Sequence, residues 1–279
     1  MRLGAYDDVE LHRKEKIIVV KFLKPHRVIS TCQVNGGVRD DLDCMFNHQA
    51  CEPSGHFRQS LKAAVSNPHE YHKQLSKACQ ISENSASLAT AANMNNAAIE
   101  VETFDGLRVI AICTGGVETN AGRAGDPATF YEKDGAFHSL HNAELPQHGT
   151  INIMVVINRE VSEGAMVKAI SIATEAKVAA LQELAVNSRY SDGLATGTGT
   201  DQIGIACSLT GNKPLTNTGK HSKLGELIGK SVKRAVKNTL ALQNSLTPHG
   251  QCSVKVHIER FGASKSSIKQ SVSNHLPND

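Results

Sequence analysis

The chain predicts an α+β fold: one domain over residues 1–279, with a mixed or antiparallel sheet covered by long amphipathic helices. Three observations carry this. Two β-type runs, Ala98–Phe104 and Leu107–Cys113, flank Asp105-Gly106, a pair suited to a tight primed turn. An alanine-rich helical pattern starts after Ser162, reaches about Val186, and lies between the apolar runs Thr150–Ile157 and Gln202–Ser208. A second helix, Ser222 to about Leu242, places Leu224, Leu227, Ile228, Val232, Val236 and Leu240 on one stripe.

The remaining elements follow in order. Lys16–Leu23 reads as a strand and Val28–Val34 as a second short one, ending at the turn Asn35-Gly36-Gly37. From His56 to Cys79 the pattern is helical, broken at Pro68 into Phe57–Val65 and His69–Ala78. The small-residue stretch Ser85–Ala98 is expected to add a helix packed closely on its neighbours. Gln251–Glu259 alternates like a strand, and 264–279 is a polar, serine-rich tail expected to fray.

Composition narrows the function classes. Apolar residues make up 40% of the 279 positions and charged residues 20%, as in globular proteins. Aromatics reach only 4%, with no tryptophan, which argues against a stacking platform for single strands. A net charge of +3 does not call for a nucleic-acid partner. The run Ile17–Val20 is far too short to span a bilayer, so the chain is expected to be cytoplasmic and not membrane-embedded, with a homo-oligomer left open. Seven cysteines without a C-x-x-C pair fit reduced thiols rather than a disulfide framework. Cys44, His48, Cys51 and His56 could ligate zinc, but their spacing matches no standard finger, and buried thiols with surface histidines are the expectation. No metal and no cofactor are assigned.

Chemistry is concentrated in three glycine-bearing loops. Ala195-Thr-Gly-Thr-Gly-Thr-Asp201 places three hydroxyls and two glycines before a carboxylate, at the mouth of the apolar run from Ile203 to Cys207. Glycine lets the backbone approach a ligand and turn its N–H groups inward, and threonine can donate, accept or attack. The loop Thr114–Pro127 offers Thr114, Gly115, Asn120, Arg123 and Asp126, and Thr218–His221 leads into the last long helix beside Glu226. Asp126 and Asp201 could equally serve as turn formers, and His221 as a capping residue. The dinucleotide, P-loop, serine-elbow and zinc-protease motifs are absent.

These residues resemble the adenosylcobinamide amidohydrolases, the CbiZ family. The resemblance rests on Val34-Asn-Gly-Gly37, Thr114-Gly-Gly-Val117 with Asn120-Ala-Gly-Arg-Ala-Gly-Asp126, Gly149-Thr-Ile-Asn-Ile153, Ser162-Glu-Gly-Ala165 continuing to Ala173-Thr-Glu-Ala-Lys177, Ala195–Asp201 and His221–Gly229. These blocks run in family order over about residues 26–242. Gly115-Gly116 stands where the family usually has Ala-Gly, and the extension after Leu246 lies outside the match. The resemblance implies hydrolysis of the linear carboxamide between the aminopropanol linker and the corrin ring of adenosylcobinamide, giving adenosylcobyric acid and aminopropanol. The implied partner is a corrinoid small molecule. A non-catalytic corrinoid-binding protein is the alternative.

Two catalytic schemes are expected for such a reaction. In one, a threonine of the 196–200 loop, foremost Thr200, attacks while His221 shuttles the proton. In the other, His221 with Asp201 or Glu226 activates a water. Asn35, Gly36, Gly37, Thr114, Gly115, Asn120, Arg123, Asp126, Thr196 and Thr198 are the expected substrate-binding residues. The order of elements around Thr200 also resembles, in pattern only, self-processing β-aminopeptidases, for which scission would fall at Gly199-Thr200 or Gly197-Thr198.

Overall fold

The computed structural model describes residues 1–6, 8–50, 67–140 and 149–246. Two sheets face each other, and helices cover the outer face of each. The six-stranded sheet has the order β5-β4-β15-β13-β9-β8, and the five-stranded sheet β1-β2-β3-β6-β7. The first comprises Gly37–Arg39 (β5), His26–Ser30 (β4), Gln202–Ser208 (β15), Thr150–Ile157 (β13), Leu107–Gly116 (β9) and Ala98–Phe104 (β8). The second comprises Arg2–Tyr6 (β1), Val9–Lys14 (β2), Ile17–Phe22 (β3), Cys44–Gln49 (β6) and Ser85–Thr90 (β7). The α+β class holds, with a mixed sheet on each side.

Side-chain alternation explains why two apolar layers form. In β9 and β13, Val109, Ala111, Cys113, Ile151, Ile153 and Val155 join the helix-side core, whereas Ile110, Ile112, Met154 and Val156 join the core between the sheets. These strands are buried on both faces and so read as continuous apolar runs. Parallel pairing of β13 with β15 requires a crossover, supplied by α2 (Glu163–Glu183). The parallel pair β6–β7 likewise encloses α1 (Pro68–Cys79), which stacks His72 on Phe46 from the outer side.

The last helix, α3 (Lys223–Asn244), runs the length of β9. Near its C-terminal end Thr239 Oγ1 accepts from the Gly115 amide (3.1 Å) and Asn244 Oδ1 from Val117 N–H (3.1 Å). At its N-terminal end Lys223 Nζ lies 4.6 Å from the Phe104 ring centre. Ser222 caps it, accepting from the Gly225 amide. Ser162 occupies the N-cap position of α2 as expected, yet its side chain makes no capping bond.

Several sequence expectations are corrected. Ser85–Ala98 is not a helix: Ser85–Thr90 forms β7, and a single 3₁₀ turn, Met94–Asn96, follows. Its small residues alternate, so Ala86 and Leu88 face the inter-sheet core while Ser85 and Ser87 turn to α1. Strands β1, β2 and β6 add to the expected elements. A further hairpin, β11 (Phe130–Lys133) and β12 (Ala136–Ser139), is exposed along its whole length. Phe57–Val65, Gln251–Glu259 and the polar tail lie outside the described residues. Among the described residues no helix is long and apolar enough to cross a membrane.

Candidate functional site

The structure brings two of the three glycine loops together. β10 (Ala121–Gly122) and β14 (Gly197–Thr198) form a short antiparallel ladder, so the loops 114–126 and 195–201 share one edge of the six-stranded sheet. Thr196 Oγ1 accepts from the Ala124 amide (2.9 Å), and Arg123 reaches the Leu194 carbonyl (3.0 Å). Asp126 ties the turn: it accepts from Arg123 N–H, from Ser188 Oγ (2.7 Å) and from Ser191 Oγ. Burial works against its ionisation, but these hydrogen bonds outweigh it and its pKa lies below the ordinary value. Asp126 and Arg123 are thus committed to shaping the loop.

Asp201 anchors the second loop. Its carboxylate is paired with Lys177 of α2 and also accepts from Ile151 N–H (2.7 Å), Thr198 N–H (3.0 Å) and Thr198 Oγ1 (2.6 Å). Four donors fill its lone-pair positions, which suits a clamp rather than a free general base. Gly197 lies against this ion pair, where a Cβ would press on Asp201 Oδ2 and on Lys177 Nζ (2.6 Å).

Beside this clamp a seam of polar groups runs in from the surface. Thr200, exposed, donates to the Gly149 carbonyl (2.9 Å), which also accepts from Asn120 Nδ2 (3.0 Å). Tyr190 OH donates to Asn120 Oδ1 (2.7 Å). Inward, Thr150 Oγ1 donates to the Thr200 carbonyl (2.9 Å), Asn152 Nδ2 to Asn47 Oδ1 (3.0 Å), and Asn47 Nδ2 to Thr114 Oγ1 (2.8 Å). Asn47, Thr114 and Asn152 are all but fully buried between the sheets. Such groups persist in an apolar interior only when bonded to one another.

The remaining expected residues are distributed as follows. Asn35, at φ 54°, donates to the carbonyls of Glu83 (3.2 Å) and Ser85 (2.9 Å). Gly36 sits where a Cβ would collide with the Cys32 carbonyl oxygen, and Gly37 has φ 77°. Gly115 packs on Leu240 and Thr239 of α3. His221 and Glu226, in contrast, lie at the start of α3, beside Phe104. Thr239 is sixteen helical steps beyond Lys223, roughly 24 Å along the axis, so His221 and Glu226 stand apart from the loop cluster. His221 is exposed, and Glu226 pairs with Lys223 and Lys230, which hold its carboxyl down at about 2. The structure does not bring His221 or Glu226 to Thr200.

Another imidazole does lie close to this edge. A pocket of about 50 Å³ between β7, α1 and the loop before Asn35 is lined by Gln33, Val34, His48, Tyr71, Ser87 and Gln202, among others. Gln202 is two residues past Thr200. Tyr71 OH lies 3.2 Å from His48 Nδ1, and burial together with Lys16 pushes His48 down to about 4, leaving it a neutral ring at pH 7. His72 is held by Ser87 Oγ (3.0 Å) and the Glu83 carbonyl (2.9 Å). For the zinc reading, Cys51 and His56 lie outside the described residues; among the described residues no group of three or more His, Cys, Asp or Glu is arranged for a metal. Burial pushes the Cys44 thiol up to about 12, which opposes the thiolate form.

Sequence reasoning left Asn47, Tyr71, Tyr190 and Gln202 without a role, and gave Asn152 and Lys177 none beyond their places in family blocks. The available signal was polarity inside apolar periods: Asn152 interrupts Thr150–Ile157, and Lys177 falls on the buried stripe of α2 with Ala173, Ala176 and Ala180.

Comparison with known proteins places this geometry in context. The family model described as adenosylcobinamide amidohydrolase matches residues 2–248. An uncharacterized protein of Methanocaldococcus jannaschii is 34% identical over 237 residues, covering 83% of this chain and 88% of that relative. Among solved structures, the PH0078 protein from Pyrococcus horikoshii aligns over 91% of this chain and 86% of its own, at 11% identity and a TM-score of 0.36. With the family match running from β1 past the end of α3, and the relative matching over most of both chains, the protein belongs to the adenosylcobinamide amidohydrolase (CbiZ) family.

Proposed function

We propose that this protein hydrolyses the carboxamide joining the aminopropanol linker to a corrin-ring propionate of adenosylcobinamide, releasing adenosylcobyric acid and aminopropanol in the cytoplasm. The observation that carries the reading is the meeting of the 114–126 and 195–201 loops on one sheet edge, in a chain the family model matches over 2–248. That edge presents hydroxyl, amide and backbone groups with few unpaired charges, as an amide-fringed corrinoid requires.

Of the two chemistries, attack by an activated water has the better support. Thr200 Oγ1 hydrogen-bonds a carbonyl, and no imidazole or carboxylate is bonded to it among the described residues. The base is His48, neutral at working pH and oriented by Tyr71. It takes a proton from water as the oxygen adds to the carbonyl carbon, then returns it to the nitrogen as the C–N bond breaks. Thr200, Asn120 and the loop N–H groups bind the substrate, and Asp201 with Lys177 holds their loop.

The test is incubation of the purified protein with adenosylcobinamide, followed by mass spectrometry. Appearance of adenosylcobyric acid and aminopropanol in equal amounts is expected. Retention of the intact corrinoid without cleavage would replace the hydrolase reading with that of a corrinoid-binding protein.

A further inference from the structure

β7 is an edge strand of the five-stranded sheet, and its outward-facing backbone groups belong to odd-numbered residues. Those of even-numbered residues face the β6 side: Asn84 O accepts from Asp43 N–H and Thr90 O from Ala50 N–H. An open edge leaves N–H and C=O groups to be satisfied by something other than a strand. Here primary carboxamides do so. Asn35 Nδ2 donates to Ser85 O (2.9 Å), Ala89 N–H donates to Gln202 Oε1 (2.9 Å), and Asn152 Nδ2 donates to Ala89 O (2.9 Å).

Between these neighbours the N–H and C=O of Ser87 face the same way and take no partner among the described residues. The Ser87 hydroxyl is already engaged with His72 Nδ1 (3.0 Å), so the backbone pair is what the residue offers. Ser87 lines the pocket shared with Val34, His48, Tyr71 and Gln202. Donor and acceptor of one extended residue lie side by side, which matches the C=O and syn N–H of a –CONH₂ group; a trans secondary amide points its two groups in opposite directions and cannot satisfy both. At about 50 Å³ the pocket accommodates on the order of four water-sized groups, enough for one carboxamide but not for a macrocycle.

We propose that the backbone of Ser87 binds a primary carboxamide of the substrate, its N–H donating to the amide oxygen and its C=O accepting from the amide NH₂. The inference rests on the corrinoid reading above, since the corrin periphery carries acetamide and propionamide arms. It makes the pocket a specificity site: one amide arm seated beside His48 registers the ring over the reacting edge, and a carboxylate arm would be rejected by the Ser87 carbonyl.

Two measurements test it. In Ser87→Pro the outward N–H is lost while the β6 ladder, which does not use it, is kept, a substitution edge strands tolerate. With unfolding temperature and circular dichroism matching the parent, KM for adenosylcobinamide is expected to rise about tenfold, the effect of one lost hydrogen bond that leaves its partner unsatisfied. An unchanged KM in the folded variant overturns the proposal. Independently, propionamide titrated into ¹⁵N-labelled parent protein should shift the Ser87 amide resonance downfield, and propionate should not. This second arm decides the matter if Ser87→Pro does not fold: a Ser87 resonance unmoved by propionamide overturns the proposal. Because it needs no turnover, a propionamide shift without hydrolysis would retire the hydrolase reading while leaving the carboxamide site standing.

Discussion

Lys177→Met removes one half of the ion pair that holds the 195–201 loop to α2. Both side chains are nearly buried, at 8% and 9% exposure, so the Asp201 charge left behind has little water to replace the lost cation. Breaking a buried pair in this way costs about 3–5 kcal/mol. Asp201 retains Ile151 N–H, Thr198 N–H and Thr198 Oγ1 as donors, which places the effect near the lower bound, ~3 kcal/mol. For 279 residues the unfolding entropy is roughly 0.6 kcal/mol/K, so the melting temperature should fall by about 5 °C. The assay is calorimetry on Lys177→Met, Asp201→Asn and the double variant. The double variant should lose less than the sum of the singles, since each single already abolishes the pair. A single variant that melts within 1 °C of the parent, or strictly additive singles, would refute the clamp.

Other outcomes follow from the same geometry. Thr200→Ala should lower turnover of adenosylcobinamide while His221→Ala changes it less than about twofold, because His221 stands at the far end of α3; steady-state kinetics on the two variants separates them. His48 has a folded pKa near 4, below the ordinary 6.5, so the native state binds fewer protons than the unfolded chain between those values. Stability should therefore fall by about 3 kcal/mol as pH drops from 6.5 to 4, and His48→Gln should flatten that part of a pH series of chemical denaturations. Asn152→Ala would strip partners from Asn47 Oδ1 and the Ala89 carbonyl, and thermal melts should show a loss of about 2–4 kcal/mol.

Much of the scaffold was legible because its signals are local. The Asp105-Gly106 turn, the apolar runs of β9, β13 and β15, and the stripe of α3 each depend on residues close in sequence, and each formed close to the expected bounds. The stretch Ser85–Ala98 is ambiguous in sequence because small residues favour either helix or strand, and only the neighbouring β6 decides for a strand at Ser85–Thr90. The glycine loops were recognisable as special backbone, but their partners were not: Lys177 lies twenty-four residues from Asp201, and Asn47 reaches Thr114 and Asn152 from the other sheet.

By itself, then, the sequence determined the secondary elements with strong periodicity, the glycine-bearing loops, and the family whose blocks it carries in order. Tertiary structure alone decided which polar groups meet. It surrounded the Asp201 carboxylate with four donors, set His221 at the far end of a helix of about six turns from Thr239, and brought His48 and Ser87 to one pocket with Gln202. The physical reason is that periodicity and turn chemistry are properties of neighbouring residues, whereas a carboxylate's charge, an imidazole's protonation and an edge strand's unmet hydrogen bonds are fixed by whatever distant segments the fold packs against them.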